Sequence, residues 1–345
     1  MGAFKSDGVD IRTEMEPYLS GSNVNSASLP FQLAGVAADS GYAKSFTDEK
    51  LHERASFGKY SAPSVFVAKK GYLPSKTLLT SISSASTHYL VYDSATDSWY
   101  LSSTLGSASG VRLSANGNRR LFHAVLVGGG GGGGGGRAGG NSGGGGGGGA
   151  TFIGYLLLNT GADSEDFPTN TKVVVGAGGA TAEWGVDGSN GTSTRIATPT
   201  GTNRLLAMGG NGGTGGDNAD PGKGGATQDY VYYVSPDYFL KSVAGGAGGD
   251  QTKVGTQVVG GSMFELRRFC GPDVISVSYS GGIGGAAPQA NGGGGGGASA
   301  FGKGGDAGAN TTAGTKGSGG AGGGNAWLQG NPGSVGGDGY FAIYY

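Results

Sequence analysis

Two uninterrupted glycine runs, Gly128–Gly136 and Gly143–Gly149, each join directly to an apolar run. Arg120-Leu-Phe-His-Ala-Val-Leu-Val127 leads into the first, and Ala150-Thr-Phe-Ile-Gly-Tyr-Leu-Leu-Leu158 follows the second. The layout is strand, glycine segment, a turn over Arg137–Ser142, glycine segment, strand. At roughly 1–2 kcal/mol per residue, the 18 glycines between Gly128 and Gly149 cost on the order of 20–35 kcal/mol to order. An extended glycine helix has no internal hydrogen bonds, so each N–H needs a carbonyl on a neighbouring segment. One such bond returns only roughly 0.5–1.5 kcal/mol. An isolated glycine segment cannot stand on those terms, and several must lie side by side, an approach that the missing Cβ permits.

The pattern recurs. Glycine-rich stretches follow around 209–225, 245–249, 281–297, 302–324 and 333–339, and strand-like runs at Lys172–Val175, Leu205–Met208, Val274–Tyr279 and Tyr340–Tyr345 lie between or after them. Gly209-Gly-Asn-Gly-Gly-Thr-Gly-Gly-Asp217 is in triplet phase, as a left-handed helix of three residues per turn requires if two faces pack and the third residue projects. Flexible linkers are also glycine-rich, but they mix in serine and charge and separate whole domains. These tracts are short and bounded by apolar runs too short to fold alone. The sequence therefore predicts a mostly β fold, an antiparallel core joined to a bundle of polyglycine-II helices.

Collagen is excluded, because the 80 glycines of 345 residues do not fall at every third position and proline is only 11. Hydrophobic residues at 36% supply core material. A net charge of −1 gives no electrostatic footprint for nucleic acid or anionic lipid, so neither is expected as a partner. Cys270 is the one cysteine, which rules out an intrachain disulfide framework. Met1-Gly-Ala-Phe-Lys-Ser-Asp-Gly-Val-Asp10 has no apolar core and no 18-residue apolar run occurs, so neither a secretory signal nor membrane insertion is expected.

Residues 1–118 have the texture of ordinary mixed protein, with a short helix expected within 47–60 and strands at Ser64–Ala68, Lys76–Ile82, His88–Tyr92 and Ser98–Ser102. Asp93-Ser-Ala-Thr-Asp97 joins the last two as a hairpin turn. The change of texture divides the chain into an N-terminal attachment or assembly domain, 1–118, and a glycine-rich binding domain, 119–345.

Motifs for chemistry are few. Met1-Gly-Ala-Phe-Lys-Ser6 fits a myristoylation pattern too short to be specific. Gly212–Asp217 and Gly245–Asp250 match half of a calcium-binding repeat but do not occur in tandem. The many GxGxxG matches follow from glycine content, and none runs on into Lys-Ser or Lys-Thr. His52, His88 and His123 are far apart, and no GxSxG elbow, HExxH helix or CxxC pair occurs. No catalytic residue, metal ligand or cofactor is assigned, and the protein is not expected to be an enzyme. A glycosidase-like carboxylate pair, which has no local signature, stays open.

Binding residues are better represented. Tyr230, Tyr232, Tyr233, Tyr238 and Phe239 put five rings into ten residues between glycine tracts. Tyrosine offers rigid contact area ending in a hydroxyl, which suits recognition. Tyr230, Tyr232 and Val234 also alternate as a core strand would. Trp184 and Trp327 stand alone in short loops, where a buried cap over the bundle and an exposed contact are equally open. Arg137 and Asn141, in the turn between two glycine segments, have little alternative to exposure.

The strand entering polyglycine, the second run ending in Gly-Ala before an apolar strand, the later GGxGG doublets and the terminal Gly336-Gly-Asp-Gly-Tyr-Phe-Ala-Ile-Tyr344 together resemble the glycine-rich domain at the ends of phage tail fibre proteins, over about Leu121–Tyr345. The plan is similar to the adhesins at the tips of T-even-like long tail fibres. It is also similar in texture to the extracellular domain of the anaplastic lymphoma kinase family, where such helices sit on a jelly-roll-like core. The phage resemblance implies a receptor-binding protein of the virion tail, made in the host cytoplasm. Its partners would be a bacterial outer-membrane protein or surface glycan, and other tail proteins through the N-terminal region. Monomer and homotrimer both stay open. A purely structural tail or capsid component, a eukaryotic ectodomain and a depolymerase are the alternatives.

Overall fold

The computed structural model describes residues 5–6, 9–10, 78–115, 117, 119–137, 141–160, 167–216, 231–233, 239–249, 293–307, 311–323 and 330–344. The chain forms two compact units, Met1–Ser75 and Lys76–Tyr345. In the first, β1 (Lys5–Ser6) pairs antiparallel with β2 (Val9–Asp10).

The second unit is built from β3 (Leu78–Ile82), β4 (Ser86–Asp93), β5 (Ser98–Ser102), β6 (Val111–Ala115), β7 (Arg119–Val127), β8 (Thr151–Asn159), β9 (Thr171–Val175), β10 (Thr194–Ala197), β11 (Asn203–Ala207), β12 (Val231–Tyr233), β13 (Phe239–Val243) and β14 (Tyr340–Tyr344). They form two antiparallel sheets, a seven-stranded one in the order β12-β11-β10-β9-β4-β5-β6 and a five-stranded one in the order β13-β8-β7-β14-β3. The apolar runs flanking polyglycine become the long central pair: β7 and β8 align from Arg119 opposite Asn159 to Val127 opposite Thr151.

Alternation along the strands builds the core. Phe122, Ala124 and Leu126 of β7 face the interior with Phe152 and Leu156 of β8, Val173 and Val175 of β9, Ile196, Leu205, and Phe341 and Ile343 of β14. Leu90 pairs with Leu101 and Tyr92 with Trp99 across β4 and β5, and Trp99 is fully buried. All five residues of β14 are buried, so this strand is covered on both faces.

The antiparallel β fold is as expected, and β3, β4, β5, β7, β8, β9, β11 and β14 fall on predicted runs within two or three residues. β6, β10 and β13 were not anticipated. Val-Arg-Leu-Ser-Ala and Thr-Arg-Ile-Ala carry too few apolar residues to mark a strand, and it is pairing with β5 and β9 that fixes them. The expected strands at Ser64–Ala68 and Val274–Tyr279 and the helix within 47–60 lie outside the described residues.

The division expected at 118/119 does not separate compact units. β3 pairs with β14, and β4 with β9, so strands from both sides of residue 118 share both sheets. The physical reason is that glycine segments have no side chains for a core, and the strands that carry them need the apolar faces of β4 and β5 to bury their own.

Candidate binding site at the far end of the glycine bundle

β7 ends where Gly128 begins and β8 begins where Ala150 ends, and because the two are antiparallel both glycine segments leave one end of the sandwich. The segments after β9 and before β10 leave the same end: the Gly339 N–H donates to the Gly176 carbonyl at 2.8 Å, and the Thr194 hydroxyl donates to the Val127 carbonyl.

The hydrogen bonds of the first glycine segment repeat every three residues. Gly128, Gly131 and Gly134 donate to Ala150, Gly147 and Gly144. Gly129, Gly132 and Gly135 donate to Thr192, Ser189 and Val186, and Gly130, Gly133 and Gly136 donate to Gly337, Ser334 and Asn331. These three neighbours run antiparallel. The carbonyls accept from three parallel neighbours, Gly129, Gly132 and Gly135 from Gly210, Gly213 and Gly216, Gly130 and Gly136 from Gly179 and Gly185, and Gly131 and Gly134 from Gly320 and Gly323. Every donor of Gly128–Gly136 thus has a partner at 2.9–3.0 Å on one of three surrounding segments.

Such packing leaves no space for a side chain. A Cβ on Gly132 would lie within 3.0 Å of the Ala180 carbonyl and of the Gly179 oxygen, all backbone. The glycine segments therefore carry geometry and almost no chemical identity, which is left to the turns at their ends.

At the end remote from the sheets, Arg137 is exposed and its N–H donates to the Asn141 carbonyl at 3.2 Å, closing the turn between the first two segments. A second turn comes beside it, with Val186 N–H donating to the Glu183 carbonyl and Gly185 N–H to the Gly136 carbonyl, each at 3.2 Å. Gly185 takes φ +61°, a left-handed conformation natural to glycine, and a Cβ there would lie 3.5 Å from Arg137 Cδ. The Arg137 side chain thus lies over the turn that carries Trp184, which is 48% exposed, and Val186, 53% exposed. Asn331 joins the same end through its carbonyl, which accepts from Gly136.

Of the residues singled out from sequence, Arg137, Asn141 and Trp184 are brought together. Tyr232 and Tyr233 lie in β12, opposite Leu206 and Leu205 at the edge of the seven-stranded sheet, and Phe239 lies in β13 opposite Gly154 at the edge of the five-stranded sheet. They belong to the sandwich rather than to the far end. Tyr230, Tyr238 and Trp327 lie outside the described residues. Val186 was not singled out, and the signal available was its place in a turn with the tryptophan. Among the described residues no cluster of His, Cys, Asp and Glu could hold a metal ion, and no helix is long and apolar enough to cross a membrane.

A β-sandwich of two antiparallel sheets that extends hydrogen-bonded glycine segments from one end, with turns gathered beyond them, defines the structural class. Residues 107–345 match the family described as the glycine-rich domain, and the chain belongs to it. The family's description is compositional and carries no activity. Comparison with the curated proteins finds no match.

Proposed function

We propose that the protein is a phage receptor-binding protein, a non-enzymatic tail adhesin that recognises an outer-membrane protein or surface glycan of a bacterium. The observation that carries this reading is the convergence of Arg137, Asn141, Trp184 and Val186 at the end of a bundle that can itself discriminate nothing. Loops on a rigid scaffold can vary in sequence without disturbing it, which is what a recognition surface needs. Trp and Arg are also among the side chains most often found as binding anchors. We infer further that the glycine segments are polyglycine-II helices. The three-residue period of their donors supports this, since that helix has three residues per turn. The attachment role falls to the N-terminal unit, Met1–Ser75, through other tail proteins.

The test is adsorption of the purified, fluorescently labelled protein to a panel of bacteria, with competition against phage adsorption on any strain that binds it. Trp184→Ala and Arg137→Ala should each weaken binding by about thirtyfold, the effect of losing a true anchor, with unchanged melting temperature. Adsorption that both substitutions leave intact would remove the contact from these turns, whereas no adsorption to any strain together with incorporation into virions would favour the purely structural reading.

A further inference from the structure

The glycine bundle ends differently on its two sides. Around 128–136 lie the segments 143–149, 318–323, 330–337, 177–185, 186–192 and 209–216, each hydrogen-bonded to it. Beyond 143–149 the packing continues outward. Gly145 and Gly148 donate to the Gly249 and Gly246 carbonyls at 2.9 and 2.8 Å, and the Gly143 and Gly146 carbonyls accept from Gly294 and Gly297 at 2.9 and 2.8 Å. Donors three residues apart are met there by one further glycine segment, and acceptors three residues apart by another.

On the other side, donors with the same spacing meet side chains. Gly212 N–H donates to Asn190 Oδ1 at 2.8 Å and Gly215 N–H to Asp187 Oδ1 at 2.7 Å. Ala177 N–H donates to Thr192 Oγ1 at 2.7 Å, and Gly178 N–H to Asp338 Oδ1 at 2.9 Å. Asp187, Asn190 and Thr192 are exposed. All three belong to 186–192, which already lies against 209–216 through Gly188 N–H to the Gly213 carbonyl and Gly191 N–H to the Gly210 carbonyl. The Asn190 and Asp187 side chains therefore serve a different row, the Gly212 and Gly215 donors, which would otherwise take a further segment as Gly145 and Gly148 do.

We propose that Asp187 and Asn190 close this edge of the bundle against a glycine segment of a second copy of the chain. The hazard is that of a β-sheet edge, whose row of unpaired N–H groups is a template for another strand. Glycine sharpens it. Segments here approach so closely that a Cβ on Gly212 would strike the Gly188 carbonyl, and without a Cβ nothing on 209–216 holds a new neighbour off. Glycine segments bonded with a three-residue period present carbonyls at the spacing of Gly212 and Gly215, and this chain contains several of them. The two side-chain oxygens engage both donors at once, so they remove the row and not one point in it. The inference concerns the side of the bundle and not its far-end turns, so it does not depend on the receptor-binding reading.

The test compares the full-length native protein with the Asp187→Ala and Asn190→Ala double variant by sedimentation velocity over a wide range of concentration. The native protein should keep one sedimentation coefficient throughout, whereas the double variant should form larger species as concentration rises. Hydrogen exchange locates the contact. In the double variant the Gly212 and Gly215 amides should exchange about tenfold more slowly where the larger species predominate than where they are absent, the ratio that one recovered hydrogen bond implies. Asp187→Asn, which keeps an acceptor oxygen and removes the charge, should sediment as the native protein does. Three results would each overturn the proposal: no assembly of the double variant at any concentration, assembly that leaves the two amides fast, or equal assembly of Asp187→Asn, which would make charge repulsion the barrier. If the double variant melts lower than the native protein, Asn190→Ala alone decides by the same two measurements, with continued protection of the interior Gly131 amide showing that its bundle is intact.

Discussion

At the scale of single residues, the fold depends on what is missing as much as on what is present. Gly132 lies where any side chain would meet the backbone of Gly179 and Ala180, and that backbone is itself hydrogen-bonded and cannot yield. Gly132→Ala should therefore cost about 1–3 kcal/mol or more as overpacking. A melting temperature several degrees lower is expected, since about 2–4 °C is lost per kcal/mol in a domain of this size class. An unchanged melting curve would contradict the close packing. Trp99 is the opposite case, a fully buried ring in tilted contact with Tyr92 at 5.4 Å between centroids. Trp99→Ala should cost about 3–5 kcal/mol, measured by denaturant unfolding.

At the scale of elements, the outer glycine segments close with side chains. Asn190 Oδ1 accepts from Gly212 N–H at 2.8 Å and Asp187 Oδ1 accepts from Gly215 N–H at 2.7 Å, two acceptors three residues apart facing two donors three residues apart. Asp338 does the same elsewhere, taking Gly178 N–H on one oxygen and Ala85 N–H on the other, each at 2.9 Å. That second contact ties the turn before β4 to the glycine segment before β14. Removing one such acceptor at the surface returns a donor to water, so Asn190→Ala should cost only about 0.5–1.5 kcal/mol. It should raise the hydrogen-exchange rate of the Gly212 amide well before that of Gly131, whose partner is the Gly147 carbonyl inside the bundle. Equal acceleration at both amides would mean that the segments open together and not from the edge.

At the scale of the whole molecule, the decisive fact is that strands from either side of residue 118 share both sheets. A chain from Lys76 to Tyr345 keeps all the strands of both sheets and should fold and melt as one cooperative unit. A chain from Arg120 would lose β3, β4, β5 and β6, and with them Leu90, Trp99, Leu101 and Leu113 of the core. It should be recovered as aggregate or show no cooperative transition. Soluble, cooperatively melting protein from the shorter chain would show that the glycine-rich part can complete its own core.

Much of this was legible in the sequence. The direct junction of apolar runs with polyglycine at Val127 and Ala150 determined that strands and glycine segments are continuous, and the absence of internal hydrogen bonds in extended glycine determined that the segments must lie against one another. Arg137 and Asn141 could be placed at an exposed turn because a short break between two such segments has nowhere else to go. What the tertiary structure decided was partnership over long separations. Thr-Arg-Ile-Ala is a strand because Val173 and Leu205 lie on either side of Ile196, and the aromatic run around Tyr232 joins the edges of two sheets because Leu206 and Gly154 are there to pair with it. Nor could local pattern bring Trp184 beside Arg137, since that needs Gly185 to bond the last glycine of a segment nearly fifty residues earlier. Periodicity reports what one residue requires of its neighbours along the chain, whereas hydrogen-bond acceptors for a side-chain-free segment are supplied by whichever segments the fold sets around it.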